Sequence, residues 1–228
     1  MSLTLLEPPE PSLSDRAADA LRADILACRL APGAVVSEAA TAARLGLGKA
    51  PIRAALARLA EEGLVQSVPR RGWIVSLVTV RDIHEVFALR LLLEPEAARL
   101  AAGKVDEAAL NKLDCVCRAG YRPDDPDSAL KFLSANRDFH VSIAELSGNA
   151  RMARQIGRLL DESTRMLVLG LGRRDRTGEM AHEHKALIEA LARGRADDAA
   201  LIMVDQITAS RDMVLAALTS RSAATVVG

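Results

Sequence analysis

The sequence predicts a mainly α-helical protein. Three short helices and a β-hairpin lie at the N-terminus, and an antiparallel all-α bundle of about six helices follows them along the chain. Half of the 228 residues are hydrophobic but only 2% are aromatic. The apolar content is therefore mostly Ala, Leu, Val and Ile, which favours packed helices over a β-sandwich. Apolar residues also recur at helical spacing through most of the chain, and Gly and Pro mark the breaks between helical stretches.

The chain is long enough for two domains of ordinary size. We predict a flexible N-terminal tail at residues 1–12, which are rich in Pro and Glu. The first folded domain spans 13–76 and the all-α second domain spans 77–218. Residues 219–228 are small and polar, and we expect them to form a C-terminal tail.

The first domain contains three predicted helices. Ser14 is placed to cap a helix that runs to about residue 30. Ser37 begins a second helix that ends before Gly46, which has the position of a left-handed C-terminal residue. A third helix covers about 50–62, with Pro51 in its first turn.

A hairpin follows the third helix. Two short strands, 65–67 and 73–75, flank Pro69-Arg70-Arg71-Gly72, and residues 76–80 form a linker. The predicted order is helix, turn, helix and a hairpin with a basic tip. This order defines a winged helix-turn-helix with a short β-wing. This arrangement points to double-stranded DNA.

The charge distribution supports a DNA-binding surface. The net charge of the chain is zero, so general affinity for nucleic acid is not expected of the whole protein. Residues 44–71, however, hold six basic and two acidic side chains, a local balance of +4. The alternative without a DNA-binding function is that these cations form only a solvated face of a small helical domain.

In this motif the N-terminal residues of the second helix reach the base edges of the major groove. Lys49 and Arg53 share one face there, and Arg53 can pair bidentately with a guanine. Glu38 is expected to orient the helices rather than to contact DNA. The predicted DNA-binding residues are Ser37, Arg44, Gly48, Lys49, Ala50, Arg53, Arg70, Arg71 and Gly72.

The second domain contains predicted helices at about 81–102, 106–119, 128–147, 150–169, 179–193 and 196–218. Four of them place a polar group on an apolar stripe. One such residue is normally a satisfied core group, but several on different helices indicate a pocket inside the bundle. The predicted effector-binding residues are Arg90, Asn136, His140, His184 and Gln206.

Other features exclude several classes of protein. Three cysteines, Cys28, Cys115 and Cys117, form no disulfide framework and no second zinc-spaced pair, so we interpret them as small core residues. The sequence shows no signal peptide and no apolar stretch of membrane-spanning length. We therefore expect a cytoplasmic protein with no membrane partner.

These motifs resemble the GntR family of bacterial transcriptional regulators. The likeness lies in Pro32-Gly33, Ser37-Glu38, Leu45-Gly46, the run from Pro51 to Leu56, Glu62 to Val65, and Arg71-Gly72-Trp73. The later pieces resemble the FadR-type subgroup, whose all-helical C-terminal (FCD) domain binds ligands: the run from Arg90 to Glu94, Phe139-His140, Ser147-Gly148-Asn149, Glu183-His184, Ala190 and Met203.

The resemblance implies a homodimeric repressor that leaves a palindromic operator when a small metabolite binds. The recognition segment of the family usually has the sequence Ser-Arg-Thr-Pro-Val-Arg, whereas residues 48–53 here are Gly-Lys-Ala-Pro-Ile-Arg. This departure bears on which operator is recognised rather than on whether DNA is bound.

The subgroup also commonly holds a divalent metal through one Asp and further His residues. Here Asn136 and Gln206 stand at two of these positions, and only His140 and His184 remain. Amides are weak, neutral ligands for a metal such as zinc.

Two hypotheses for the pocket therefore stay open. In the first, zinc or nickel binds weakly at His140 and His184 and the effector's carboxylate completes its coordination shell. In the second, which we favour slightly, no metal is needed and Arg90 clamps a small carboxylate metabolite directly. A hydrolytic enzyme that uses the two histidines is a remote alternative, because the sequence supplies no nucleophile or carboxylate base on the same helix face.

Overall fold

The computed structural model describes residues 11–122, 125–172 and 175–225. It divides the chain into two compact units, with the boundary between Leu77 and Val78. The hydrophobic core of the first unit is built from its helices and its small sheet. The largest core of the second unit is built between its helices.

The first unit contains three helices and a three-stranded antiparallel sheet of order β1-β3-β2. The core between these elements includes the fully buried Leu21, Ile52 and Leu56. The elements are α1 (Leu13–Leu26), β1 (Val35–Val36), α2 (Glu38–Leu45), α3 (Lys49–Glu61), β2 (Val65–Val68) and β3 (Gly72–Val75). The predicted winged helix-turn-helix is confirmed.

The first helix differs from the prediction at both ends. Ser12, not Ser14, is its N-cap, because Ser12 and Asp15 form a reciprocal capping box. The helix ends at Leu26 rather than near residue 30, since Cys28 has a positive φ of 55° and cannot continue it. Residues 1–10 of the predicted N-terminal tail lie outside the described residues.

The sheet contains a strand that the sequence did not predict. Strand β1 has only two residues, too few for an alternating pattern, and it forms by pairing Val35 with Ile74 and Val36 with Trp73. Its partner β3 therefore lies in the middle of the sheet, with the wing strand β2 on its other side. The left-handed Gly46 after α2, with φ of 64°, is as predicted.

The second unit, as far as it is described, is a bundle of six helices, in agreement with the predicted number. Helix α4 packs against α6, α7 and α9, and the core includes Phe87, Phe132 and Phe139, which are fully buried. The helices are α4 (Val80–Ala101), α5 (Glu107–Ala119), α6 (Pro126–Leu146), α7 (Ala150–Leu171), α8 (Thr177–Ala192) and α9 (Ala196–Thr225).

The last helix is longer than predicted. The sequence suggests a tail from residue 219, but α9 continues to Thr225, and no Gly or Pro stands between 219 and 225 to end it. Residues 226–228 lie outside the described part. Among the helices that are described, none is both long enough and apolar enough to cross a bilayer.

Candidate DNA-binding surface and ligand cavity

The N-terminus of α3 is open at the protein surface. Its N-cap, Gly48, provides no side-chain hydrogen bond to the first turn. Backbone N–H groups at such a helix start are free for an anion, and phosphate is a good ligand there. Lys49, Ala50 and Arg53 are all exposed at this end, as the DNA-binding hypothesis requires.

Arg53 is held from one side by Glu38. Its Nε and Nη2 donate to the two carboxylate oxygens of Glu38 at 3.1 and 2.8 Å. Trp73 of the wing donates from Nε1 to the same carboxylate at 3.2 Å. These hydrogen bonds lower the pKa of Glu38 and keep it ionised, and the one from Arg53 contributes more than the one from Trp73. The Nη1 group of Arg53 makes no hydrogen bond with Glu38, and the side chain is 67% exposed.

Two predicted DNA-binding residues have structural partners. The Ser37 side chain accepts a hydrogen bond from the backbone N–H of Ala40 at 3.3 Å and caps α2. Arg44 donates to Asp24 of α1 at 2.6 Å, so it joins two helices. The +4 balance counted along the sequence is thus partly neutralised within the fold.

The wing tip carries two exposed arginines. Arg70 has a positive φ of 63° and Gly72 one of 79°, which lets the chain reverse between β2 and β3. The backbone N–H of Arg71 donates to the Val68 carbonyl at 3.0 Å and closes the turn. The structure therefore places Arg70, Arg71 and Gly72 at the tip, as the sequence predicted.

A cavity inside the bundle gathers all the predicted effector-binding residues. Its walls come from α4, α6, α7, α8 and α9, and its volume is about 20 Å³, which is room for about one water molecule. Flexible Met180 and Met213 form part of the wall. The polar lining is Arg90, Asn136, His140, Glu183, His184, Gln206 and Ser210.

Arg90 is part of a buried ionic network. Its Nε lies 2.6 Å from Oε1 of Glu94, and its Nη1 donates to Ser163 at 3.3 Å. The other Glu94 oxygen lies 3.0 Å from Nδ1 of His140. Burial alone would raise the pKa of Glu94, but the charge of Arg90 and the interaction with His140 outweigh it and lower the pKa to about 2.

Glu94 was not among the predicted site residues, although the sequence carries a signal for it. Glu94 is four residues after Arg90 on the same buried stripe of α4, which is the spacing of a helical ion pair. The consequence is that the guanidinium predicted to clamp a carboxylate already neutralises one. A ligand can use only the N–H groups of Arg90 that Glu94 and Ser163 leave over.

His184 is fixed by a second carboxylate that we did not foresee. Its Nδ1 lies 2.6 Å from Oδ1 of Asp114, and its ring stacks on Phe139 with centroids 4.3 Å apart. Burial lowers the pKa of His184, although Asp114 opposes the shift, so the ring is held neutral. Asp114 lies on the same face of α5 as the buried Leu110 and Cys117, a pattern that could have identified it.

Two amides in the cavity have unsatisfied polar atoms. Oδ1 of Asn136 and both side-chain polar atoms of Gln206 are buried without a hydrogen-bond partner among the described residues. Buried polar groups normally have a partner, so these atoms indicate that water, an ion or a ligand belongs in the cavity.

Three residues with potential metal ligands lie next to the cavity. Ligand atoms of Asp114, Cys117 and His184 all lie within 4.8 Å of one another, and the three residues are buried. Burial and the nearby Asp114 raise the pKa of the Cys117 thiol to about 12. These residues can bind a metal. Cys117 is buried, as the sequence predicted, but Cys115 is exposed and Cys28 is only partly buried, so the interpretation of all three cysteines as core residues was wrong for these two.

The fold and the two sites together define a class: a transcription factor with a winged helix-turn-helix and a helical ligand-binding domain. Residues 13–75 match the bacterial regulatory proteins of the gntR family, and residues 85–209 match the FCD domain. The chain belongs to the GntR family, in the FadR-like subgroup with an FCD domain. It is a DNA-binding transcriptional regulator and not an enzyme, which removes the hydrolytic alternative.

Similar proteins are also described as transcriptional regulators or repressors. An uncharacterized HTH-type regulator from an unstable DNA locus of Streptomyces ambofaciens is 29% identical over 76% of this chain and 73% of its own. A probable D-xylose utilization operon repressor of Paenarthrobacter nicotinovorans is 28% identical over 80% of each chain. The repressor RspR of Escherichia coli is 32% identical over 49% of this chain and 48% of its own.

Solved structures support the fold. A putative GntR regulator from Rhodococcus sp. RHA1 superposes with a TM-score of 0.72 at 21% identity, over 90% of this chain and 99% of that one. McbR/YncC of Escherichia coli gives 0.71 at 20% identity, over 90% and 98%.

Proposed function

We propose that this regulator is a cytoplasmic homodimeric repressor that binds a short palindromic operator and is released by a small anionic metabolite. The observation that carries the ligand-binding part is the cavity, where Asn136 and Gln206 present buried polar atoms without partners among the described residues. A ligand that satisfies these atoms would bind one arrangement of the bundle better than another, and so shift the balance between two states of the protein.

The DNA-binding part rests on the N-terminus of α3 and the wing. With its Nε/Nη2 side on Glu38, Arg53 presents its remaining N–H groups outward for a guanine. Lys49 and the free helix N-terminus suit phosphates, and Arg70 and Arg71 suit phosphates or the minor groove. In a dimer, two such surfaces would meet half-sites about one helical turn (~34 Å) apart.

A matched pair of variants on α3 tests this assignment. Arg53→Ala should weaken binding to an operator selected from random duplexes about 5- to 100-fold and relax the preference at one base pair. Arg58→Ala is the control, because Arg58 lies on the same helix but its Nη1 pairs with Asp15 of α1 at 2.9 Å. Equal losses in the two variants, with unchanged base preference, would contradict the role of Arg53.

The anionic effector is supported by the donors that the cavity can offer. Arg90 keeps N–H groups beyond those used by Glu94 and Ser163, and the Asn136 and Gln206 amides add further N–H groups. Because the cavity has room for about one water, an organic acid must displace side chains, and Met180 and Met213 are the flexible ones.

A thermal-shift screen of small organic acids, with and without zinc or nickel, tests the effector. A metal-independent stabilisation that Asn136→Leu and Gln206→Leu abolish would support direct recognition. These variants are better probes than Arg90→Ala, because removing Arg90 would leave Glu94 buried and unpaired. Stabilisation that both variants retain would place the ligand elsewhere.

A second candidate is a weakly held metal in the cavity between His140 and His184. Both rings turn Nδ1 towards a buried carboxylate, and neither Nε2 makes a hydrogen bond to the described residues. Such carboxylate–histidine pairs are typical of metal ligands, but Asn136 and Gln206 contribute only neutral amides. Elemental analysis after chelation and re-exposure to zinc tests it: one retained ion that His140→Gln removes would favour this candidate.

A further inference from the structure

We propose that Asp114, Cys117 and His184 form a zinc site in the interior of the bundle, distinct from the cavity candidate because it uses Nδ1 of His184 and not Nε2. This proposal stands on the geometry of these three side chains and does not depend on the effector. It assigns a function to the buried thiol of Cys117, which DNA binding and the cavity do not use, and a second role to the carboxylate of Asp114, which also orients His184.

The fold brings the three ligands together from two helices. Asp114 and Cys117 are three residues apart on α5 and therefore share a face, and α5 packs against α8, which carries His184. The three ligand atoms lie within 4.8 Å of one another, so a small shift of side chains centres an ion between them. Exposure is 0% for Asp114 and 1% for both Cys117 and His184, which excludes bulk water as their partner.

An unsatisfied oxygen gives independent support. Oδ1 of Asp114 lies 2.6 Å from His184, but Oδ2 is buried without a hydrogen bond from the described residues and has only Arg118 Nε at 3.5 Å. A buried carboxylate oxygen in this state is costly. A cation between Asp114 and Cys117 would remove that cost.

The ligand types select the metal. One thiolate, one imidazole and one carboxylate carry two negative charges and mix soft and hard atoms, which suits Zn²⁺ in tetrahedral geometry with a single enclosed water molecule as the fourth ligand. Binding displaces one proton and moves another: the Cys117 thiol proton leaves to solvent, and the Nδ1 proton of His184 moves to Nε2. Zinc here uses Nδ1, whereas a metal in the cavity would use Nε2 of the same ring.

Cobalt(II) titration of the chelator-treated full-length protein tests the site, because a cobalt–thiolate bond gives a charge-transfer absorption in the near ultraviolet. We expect this band to saturate at one equivalent of Co²⁺ and to disappear on addition of zinc. Cys117→Ser should abolish the band. Cys115→Ser is the matched control, since Cys115 is on the same helix but exposed, and it should keep the band.

His140→Gln separates this site from the cavity candidate. The band should survive in His140→Gln and be lost in Asp114→Asn, and circular dichroism of each variant confirms that it is folded. Wild-type protein that gives no band, or a band that persists in Cys117→Ser, would overturn the proposal. Cobalt that binds without giving the band, and that no longer binds to His140→Gln, would also overturn the proposal. It would favour the metal in the cavity.

Discussion

Replacing Glu94 with Gln should destabilise the helical bundle strongly. Glu94 is 2% exposed, lies 2.6 Å from Arg90 and 3.0 Å from His140, and is the only acidic partner of Arg90 among the described residues. Glutamine has nearly the same shape, so the substitution removes the charge with little change in packing. Arg90 would then be a buried cation without a counter-charge.

The magnitude follows from the pKa of Glu94. Its fall from an ordinary 4.5 to about 2 corresponds to about 3 kcal/mol, which agrees with about 3–5 kcal/mol for breaking a buried ion pair. The pKa is lowered by folding, so this stabilisation is present above pH 4.5 and is lost as the pH falls towards 2. At neutral pH we expect Glu94→Gln to lower the free energy of unfolding by about 3 kcal/mol.

Urea unfolding followed by far-ultraviolet circular dichroism measures this change. The chain has one tryptophan, Trp73 of β3, so tryptophan fluorescence reports on the first unit and is an internal control. Glu96→Gln on the same helix is the matched variant, since Glu96 pairs with the half-exposed Arg99 and should cost less than about 1 kcal/mol. Equal destabilisation by the two substitutions would refute the reasoning.

Two further predictions concern Glu38 at the start of α2 and Gly120 at the end of α5. Glu38→Gln should weaken operator binding about tenfold and reduce discrimination at the base pair that Arg53 contacts. Competition with base-substituted duplexes measures this discrimination. If it is unchanged, Glu38 does not position Arg53. Gly120→Ala should lower the melting temperature more than Gly148→Ala. Both glycines have positive φ, but only at Gly120 would a Cβ meet Thr177, at 2.5 Å, so equal shifts would argue against this clash.

The cavity was predictable because helical periodicity assigns a residue to a face. Arg90, Asn136 and His140 each lie on an apolar stripe of a helix. Because the helices of a bundle pack with these stripes facing one another, the three polar side chains meet in the interior. Periodicity does not give the partner of a buried charge. Glu94 and Asp114 were missed, although each lies on the buried face of its helix, because a carboxylate on a helix is normally solvated; the distances to His140 and His184 identify their partners.

The boundaries of elements were less predictable, because competing signals are close in energy. Ser12 and Ser14 are both good N-caps, and the carboxylate of Asp15 decides for Ser12 by completing the capping box. Strand β1 has no pattern of its own and exists through its pairing with β3. The first choice was thus open to the local sequence, which contains the capping box, whereas the second depends on a strand almost forty residues away.

The hydrogen-bonding groups of the cavity place a condition on its ligand. With Nδ1 donating to Asp114, the neutral His184 ring can only accept at Nε2, whereas Arg90 can only donate. A simple carboxylate would satisfy Arg90 and the amide N–H groups but would face the His184 lone pair unfavourably. A ligand that carries both a carboxylate and a hydroxyl satisfies both sides, because its hydroxyl can donate to Nε2. Zinc on Nδ1 would reverse this preference by moving the ring proton to Nε2, so the two proposed sites are chemically coupled through one histidine.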